Sequence, residues 1–216
     1  SIIFFGFLIV ALMNGNNMID GANGILITNS LIQLCCIYHI VNVSTYNFEE
    51  IKELIILFII TLIFFLFLNF PKSKIFMGDF GAYFLSFFNG MLLIYVFSAI
   101  DILSWVAVLI FIYPAYELFF TFCRRLITKN SITTADTDHL HTRIYKHYLS
   151  HNFTKNTSNN LVLISLLPLN IIPLSIVFLG GESLSKNLGS IAFLISFFII
   201  LYHLYFSYFK IIKNEK

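Results

Sequence analysis

Three polar segments carry residues whose types and spacing suit chemistry on phosphates. The first is Asn14-Gly15-Asn16-Asn17-Met18-Ile19-Asp20-Gly21-Ala22-Asn23-Gly24. Asn17, Asp20 and Asn23 recur at every third residue, so on a helix they share one face. Gly21 and Gly24 let the backbone turn or approach a ligand closely. The plain alternative is a helix cap and turn, because Asn, Asp and Gly are residues of helix ends. The second segment runs from Asn69 to Gly81 and sets Asp79 at the mouth of an apolar run, flanked by Lys72, Lys74, Phe76 and Phe80. Such a carboxylate suits magnesium, which takes one or two protein carboxylates and leaves its other positions to phosphate and water. It could equally cap the helix that follows.

The third segment is Asp136-Thr137-Asp138-His139-Leu140-His141-Thr142-Arg143, with Lys146 and His147 beyond it. Alternate histidines could ligate a metal on a strand or bind phosphate as donors. Zinc is the weaker choice, since no cysteine lies nearby and only His139 and His141 are closely spaced. The basic setting favours an anionic phosphate, on a nucleotide or a lipid headgroup. A solvated basic loop accounts for Arg124, Arg125 and Lys129 but not for Asp138-His139-Leu140-His141. Glu117 is a further group of interest. It lies in an apolar run near Pro114 and Tyr116, where an ionisable residue is expensive and usually functional or paired. It could instead lie shallow enough to snorkel toward the cytoplasm, and Arg124 or Arg125, about two helical turns on, is a candidate partner.

The elements that must position these groups are membrane helices. Of the residues 58% are apolar and only 11% charged, against about 25% charged in a soluble domain. Apolar runs separated by polar breaks give seven segments, at 1–13, 25–43, 54–69, 81–99, 103–122, 161–179 and 189–208. The fold class expected is therefore all-α, a polytopic transmembrane bundle of about seven spans forming a single membrane domain over 1–216, with one long loop at 123–160. The links alternate between two sides. Lys72, Lys74, Arg124, Arg125, Lys129, Arg143, Lys146, Lys155, Lys210, Lys213 and Lys216 fall on one side, and only Lys52 and Lys186 on the other. That asymmetry makes the first side, which holds all three polar segments and the C-terminus, cytoplasmic; the inner (plasma) membrane is the expected location. The other side is short and slightly acidic, with Glu49, Glu50, Asp101 and Glu182. Cys35, Cys36 and Cys123 give no disulfide framework and read as buried free thiols. Ile2 to Met13 is too short to span a bilayer, so Ser1 is expected to lie within a helix whose upstream neighbours belong to a longer protein.

Taken together, the three segments resemble the polyprenyl-phosphate N-acetylhexosamine-1-phosphate transferases. Asn17-Met18-Ile19-Asp20-Gly21-Ala22-Asn23-Gly24 is similar to that family's Asn-x-x-Asp-Gly-x-Asp/Asn-Gly segment. Phe76-Met77-Gly78-Asp79-Phe80-Gly81 is similar to its Phe-Met/Leu-Gly-Asp-x-Gly segment, and Asp138-His139-Leu140-His141 to its histidine motif. The resemblance implies transfer of N-acetylhexosamine-1-phosphate, with N-acetylglucosamine the expected sugar, from a UDP-sugar to undecaprenyl phosphate. UMP would be released, and the step would initiate a cell-envelope polysaccharide. It implies a magnesium cofactor, with manganese as a substitute, held by Asp79 at the nucleotide diphosphate. Asp20, Asp79, His139 and His141 would carry catalysis. Asn17, Asp20 and Asn23 would line the nucleotide pocket, Phe76 would stack on uracil, Asn69 would lie near the diphosphate, and His139 and His141, with Arg143, would meet phosphates or sugar. The partners implied are the donor, the lipid acceptor, the surrounding membrane lipid and a second copy in a homodimer, with no nucleic acid.

The sequence departs from the family's pattern in places. No Asp-Asp pair is present, although the family carries one on an earlier cytoplasmic loop. That pair is expected upstream of Ser1, and this fragment alone is expected to be inactive. Thr142 replaces a histidine, Asn23 an aspartate, and Ala82-Tyr83 follows Gly81 where small residues are usual. Two other readings stand beside the enzyme. One is a non-catalytic homologue acting as a scaffold. The other is a secondary transporter coupling through Glu117 and Asp20, which the end-of-span position of the motifs and the lack of a repeat argue against.

Overall fold

The computed structural model describes residues 2–128, 138–178 and 187–209. Asp136, Thr137, Glu182 and the basic residues Lys129, Lys186, Lys210, Lys213 and Lys216 lie outside them. The described residues are helical, with no strand among them. Their order is α1 (Ile2–Ile19), α2 (Ile25–Val43), α3 (Glu49–Asn69), α4 (Gly78–Ala99), α5 (Trp105–Ile110), α6 (Ile112–Ile127), α7 (Leu140–Ser150) and α8 (Lys155–Asn170). A 3-10 turn (Ile172–Leu174), α9 (Ser175–Phe178) and α10 (Leu188–Tyr208) follow.

Five stretches are long and apolar enough to cross a membrane: Ile25–Val43, Glu49–Asn69, Gly78–Ala99, Lys155–Val177 and Leu188–Tyr208. The chain is thus a multi-pass membrane protein. The other two expected spans take different forms. The first runs on beyond Met13, so that α1 ends at Ile19 and carries Asn14 to Asn17 within the helix. The run 103–122 is broken at Phe111 into α5 and α6. Pro114 explains the break, because a proline ring clashes with the carbonyl four residues earlier, here that of Ile110. The polar loop 123–160 also holds more structure than expected, since α7 and the first turns of α8 lie within it.

Burial separates centre from rim. The spanning stretch of α2 is 67% buried and that of α3 only 11%, so α2 is the axial helix and α3 faces lipid. Exposed Phe64, Phe67, Phe193 and Leu204 would be a liability in water but suit hydrocarbon. Gly15 allows a close helix crossing, because a Cβ there would lie 2.5 Å from the Pro114 carbonyl oxygen. This brings α1 against α6. Cys36 is buried and free, its thiol bonded to the Pro173 carbonyl at 3.3 Å.

Candidate active site

The C-terminal end of α1, the N-terminal end of α4 and the N-terminal end of α7 meet at one end of the bundle. Asp20 lies just past α1, where its backbone N–H still bonds the Asn17 carbonyl at 3.3 Å. Burial pushes its carboxyl up from 3.8 to about 6, and the neighbouring Asp79 charge adds to the rise. Gly21 lies against the imidazole of His141, and any Cβ at that position would collide with the ring. His141 stacks on His139 with ring centroids 5.5 Å apart and planes 10° from parallel. A continuous set of neighbours therefore runs from Asp79 through Asp20 and Gly21 to His141 and His139.

The first segment does form a turn, with the Asp20 and Ile25 backbone N–H groups donating to the Asn17 and Ala22 carbonyls at 3.3 Å, but no side chain caps the helix that follows either of the first two segments. α2 is preceded by Gly24, with φ +77°, and has no side-chain cap. α4 starts after Met77, also without a side-chain cap, and Asp79 lies exposed in its first turn. Gly78 at φ +67° takes a left-handed conformation that glycine adopts freely.

The family model for glycosyl transferase family 4 matches residues 1–97. Over 148 residues the chain is 32% identical to a protein of Bacillus subtilis (strain 168) named probable undecaprenyl-phosphate N-acetylglucosaminyl 1-phosphate transferase. That alignment takes in 68% of this chain and 41% of the relative. The chain belongs to glycosyl transferase family 4. It spans about two-fifths of the length of that relative, and no solved structure matches it. The match to family 4 ends before Glu117 and the histidine segment, whereas the alignment with the relative is long enough to reach them; it is the fold that sets them beside Asp20.

The residues singled out in the sequence fall into two groups, and the first comprises those that fasten the site. Buried Asn69 accepts from the Gly24 backbone N–H at 2.6 Å and donates to the Ile75 carbonyl at 2.7 Å, tying the α1–α2 link to the 70–77 loop. Asn23 donates its backbone N–H to Asn159 Oδ1 (2.8 Å) and its Nδ2 to Asn160 Oδ1 (3.1 Å), which draws α8 to the same link. Its own Oδ1 is buried without a partner. Arg143 grips Asp138 with Nε and Nη2 at 2.6 and 2.7 Å, donates from Nη1 to the Phe206 carbonyl at 3.0 Å, and lies 3.5 Å over the Phe206 ring. Arg124 Nη1 also reaches Asp138 Oδ2, at 3.2 Å. Arg143 thus fastens the histidine segment to α10.

The second group remains open. Phe76 is exposed on its loop, Asp79 is exposed, and half-buried Asn17 touches the Tyr83 hydroxyl at 3.4 Å. His141 Nδ1 is buried without a partner. Burial pushes the His141 imidazole down to about 4, only partly offset by Glu117, so the ring is neutral at physiological pH. The alternating histidines lie on no strand, since His139 is the extended residue before α7 and His141 stands in its first turn.

Two residues outside the sequence-derived site belong to it. Glu117 is buried, and its partners are not Arg124 or Arg125. Its Oε1 accepts from His139 Nδ1 at 3.1 Å and from the Leu140 backbone N–H at 3.4 Å. Its Oε2 accepts from the Tyr202 hydroxyl at 2.8 Å. A carboxylate that only accepts sets the imidazole proton on Nδ1 and leaves Nε2 as the nitrogen available to a substrate. Glu117 and Thr121, four apart and both buried on α6, form a polar stripe that was visible in the sequence. Tyr202 sits in an apolar aromatic run and gave no signal.

The raised Asp20 group has a consequence for stability. A carboxyl whose folded pKa lies above its unfolded value stabilises the fold below the unfolded pKa, and that contribution is lost as pH rises through the folded one. Asp20→Asn, neutral throughout, is therefore expected to unfold like the parent near pH 4 and to be the more stable above about pH 6, by up to about 3 kcal/mol. Unfolding in detergent across pH 4–8 measures this, and a difference independent of pH would refute it.

Proposed function

We propose that this chain is the catalytic portion of a membrane transferase that moves N-acetylhexosamine-1-phosphate, from UDP-N-acetylglucosamine by preference, onto undecaprenyl phosphate with release of UMP. The observation that carries this reading is the convergence of Asp79, Asp20, His141 and His139 at one end of a membrane bundle. Two phosphorylated substrates repel each other, and catalysis of their reaction needs positioned positive charge more than covalent help. The lipid-borne acceptor accounts for a site built at a membrane surface. The lysine and arginine bias supports a cytoplasmic site on the inner membrane, where nucleotide sugars are available.

Magnesium is the cofactor of this proposal, and the donor set fits it. Among the described residues no three His, Cys, Asp or Glu side chains gather into a metal cage, as a structural zinc would want. Instead two carboxylates lie close enough for Asp79 to disfavour ionisation of Asp20. Oxygen donors of this number, completed by phosphate and water, suit magnesium. Asp79 and Asp20 would hold it, and it would neutralise charge on the diphosphate when bound. Exposed Phe76 offers a face for uracil, neutral His141 offers a ring N–H to a phosphate oxygen, and His139 Nε2 offers an acceptor to a phosphate hydroxyl.

The full-length protein, reconstituted with undecaprenyl phosphate, UDP-N-acetylglucosamine and magnesium, is expected to release UMP. Omitting the lipid phosphate or chelating the metal is expected to stop release. Absence of UMP with any UDP-hexosamine, or release that ignores the lipid phosphate, would defeat the proposal.

A further inference from the structure

We propose that Asn16 is a positioning residue. Its hydrogen bonds inside the membrane fix the axial register between the helix that ends at Asp20 and the helix that begins at Asp79. The kinetic part of this inference rests on the transferase reading, and the structural part does not.

Asn16 lies on α1 four residues, about one helical turn, before Asp20. Ser86 lies on α4 seven residues, about two turns, after Asp79. Asn16 Nδ2 donates to Ser86 Oγ at 2.8 Å, and Asn16 Oδ1 accepts from Asn29 Nδ2 at 3.3 Å. The Ser86 hydroxyl in turn donates to the Ala82 carbonyl. Asn16 and Ser86 are wholly buried and Asn29 nearly so. One carboxamide thus joins α1, α4 and the axial helix α2, using its donor end on one and its acceptor end on the other.

Apolar packing alone would set this register poorly, because it is non-directional. A slip of one turn, about 5.4 Å, would break both Asn16 bonds. It would strand three polar side chains in a region where no water replaces the lost partners. The part-buried Asn17–Tyr83 contact, at 3.4 Å, is too long to hold the helices by itself. The buried Gln33–Asn89 bond at 2.8 Å ties α4 to α2 but leaves α1 free. Asn16 is therefore the buried polar link that sets Asp20 at the level of Asp79, and it does so without reaching the substrate.

The test uses the full-length protein and Asn16→Leu, which keeps the branched outline of the side chain, though it is larger, and removes both bonds. The turnover number for UMP release is expected to fall about 10- to 100-fold, with KM for the UDP-sugar held within about threefold. Nitroxides at exposed Ile3 and Phe84, in a background without the native cysteines, are expected to report a distance shifted or broadened by about one helical turn. The exchange Asn16→Ser with Ser86→Asn restores the bond with its ends reversed. It is expected to recover the parent distance and turnover to within about fivefold. Ser86→Ala carries the test if Asn16→Leu does not fold. Parent distance and parent kcat in the single variants overturn the proposal, as does a lowered unfolding temperature with unchanged kinetic constants per folded molecule. If the parent releases no UMP with any UDP-sugar, the transferase reading falls and the nitroxide distance alone decides the register claim.

Discussion

Asp79→Asn in the full-length protein is expected to slow UMP release by about a thousandfold or more, while the unfolding temperature in detergent moves by only a few degrees. The two halves of this expectation have separate physical grounds. Asn keeps the size of the side chain and one oxygen but loses the charge that a dication needs. Stability has little at stake. Asp79 is exposed and caps nothing, and its interaction with the α4 dipole is worth about 0.3–1 kcal/mol. Removing its charge also relieves Asp20, which acts in the opposite direction. A net change below about 1 kcal/mol shifts the midpoint of a domain this size by about 2–4 °C. A second readout follows from the same geometry. Burial is the larger cause of the raised Asp20 group and Asp79 the smaller, so in Asp79→Asn the Asp20 titration should fall toward, but not reach, its ordinary value. Parent-like turnover would remove Asp79 from the reaction and leave the carboxylate pair without a purpose.

The parts of this molecule that were legible in the sequence are those in which local pattern and tertiary outcome agree. Runs of apolar residues located the spans because length and hydropathy are properties of each segment alone. The three polar segments could be placed on one side because lysine and arginine mark the links between spans. What escaped the sequence depends on contacts between distant residues. The partner of Glu117 was sought among arginines nearby in the chain, whereas the fold supplies His139 and Tyr202, the latter 85 positions away. Arg124, one of those arginines, goes instead to Asp138. Pro114 was visible, but whether a membrane helix bends at proline or breaks depends on what surrounds it, and here α5 ends at Ile110. α7 was hidden because it is short and polar, with its apolar contacts made by only a few residues such as Leu140 and Ile144. Asn69 and Asn23 look like ligand-binding amides in sequence. In the fold their bonds go largely to backbone and to α8, so they shape the pocket walls.

Glu117 carries the second large expectation, and two substitutions separate what it does. Glu117→Ala removes the acceptor of three donors at once: His139 Nδ1–H, the Leu140 backbone N–H and the Tyr202 hydroxyl. Each buried donor left unpaired costs about 1–3 kcal/mol. The summed loss of several kcal/mol corresponds to a fall of roughly 10 °C or more in unfolding temperature, and UMP release should be lost with it. Glu117→Gln keeps the shape. Its amide oxygen can still accept from His139 and Leu140, and its amino group can donate to the Tyr202 hydroxyl, which is able to accept as well. The fold should therefore survive with a loss near 1 kcal/mol. Turnover is nevertheless expected to drop by about a hundredfold, within the range for losing a group that orients a catalytic acid or base. The reason is that a neutral amide holds the His139 proton less firmly than a carboxylate does. The contrast is the test: Ala lowers stability and activity together, whereas Gln lowers activity alone. If Glu117→Gln turned over like the parent, the charge of Glu117 would have no part in presenting His139 Nε2. The buried carboxylate would then be only a fastening between α6, α7 and α10.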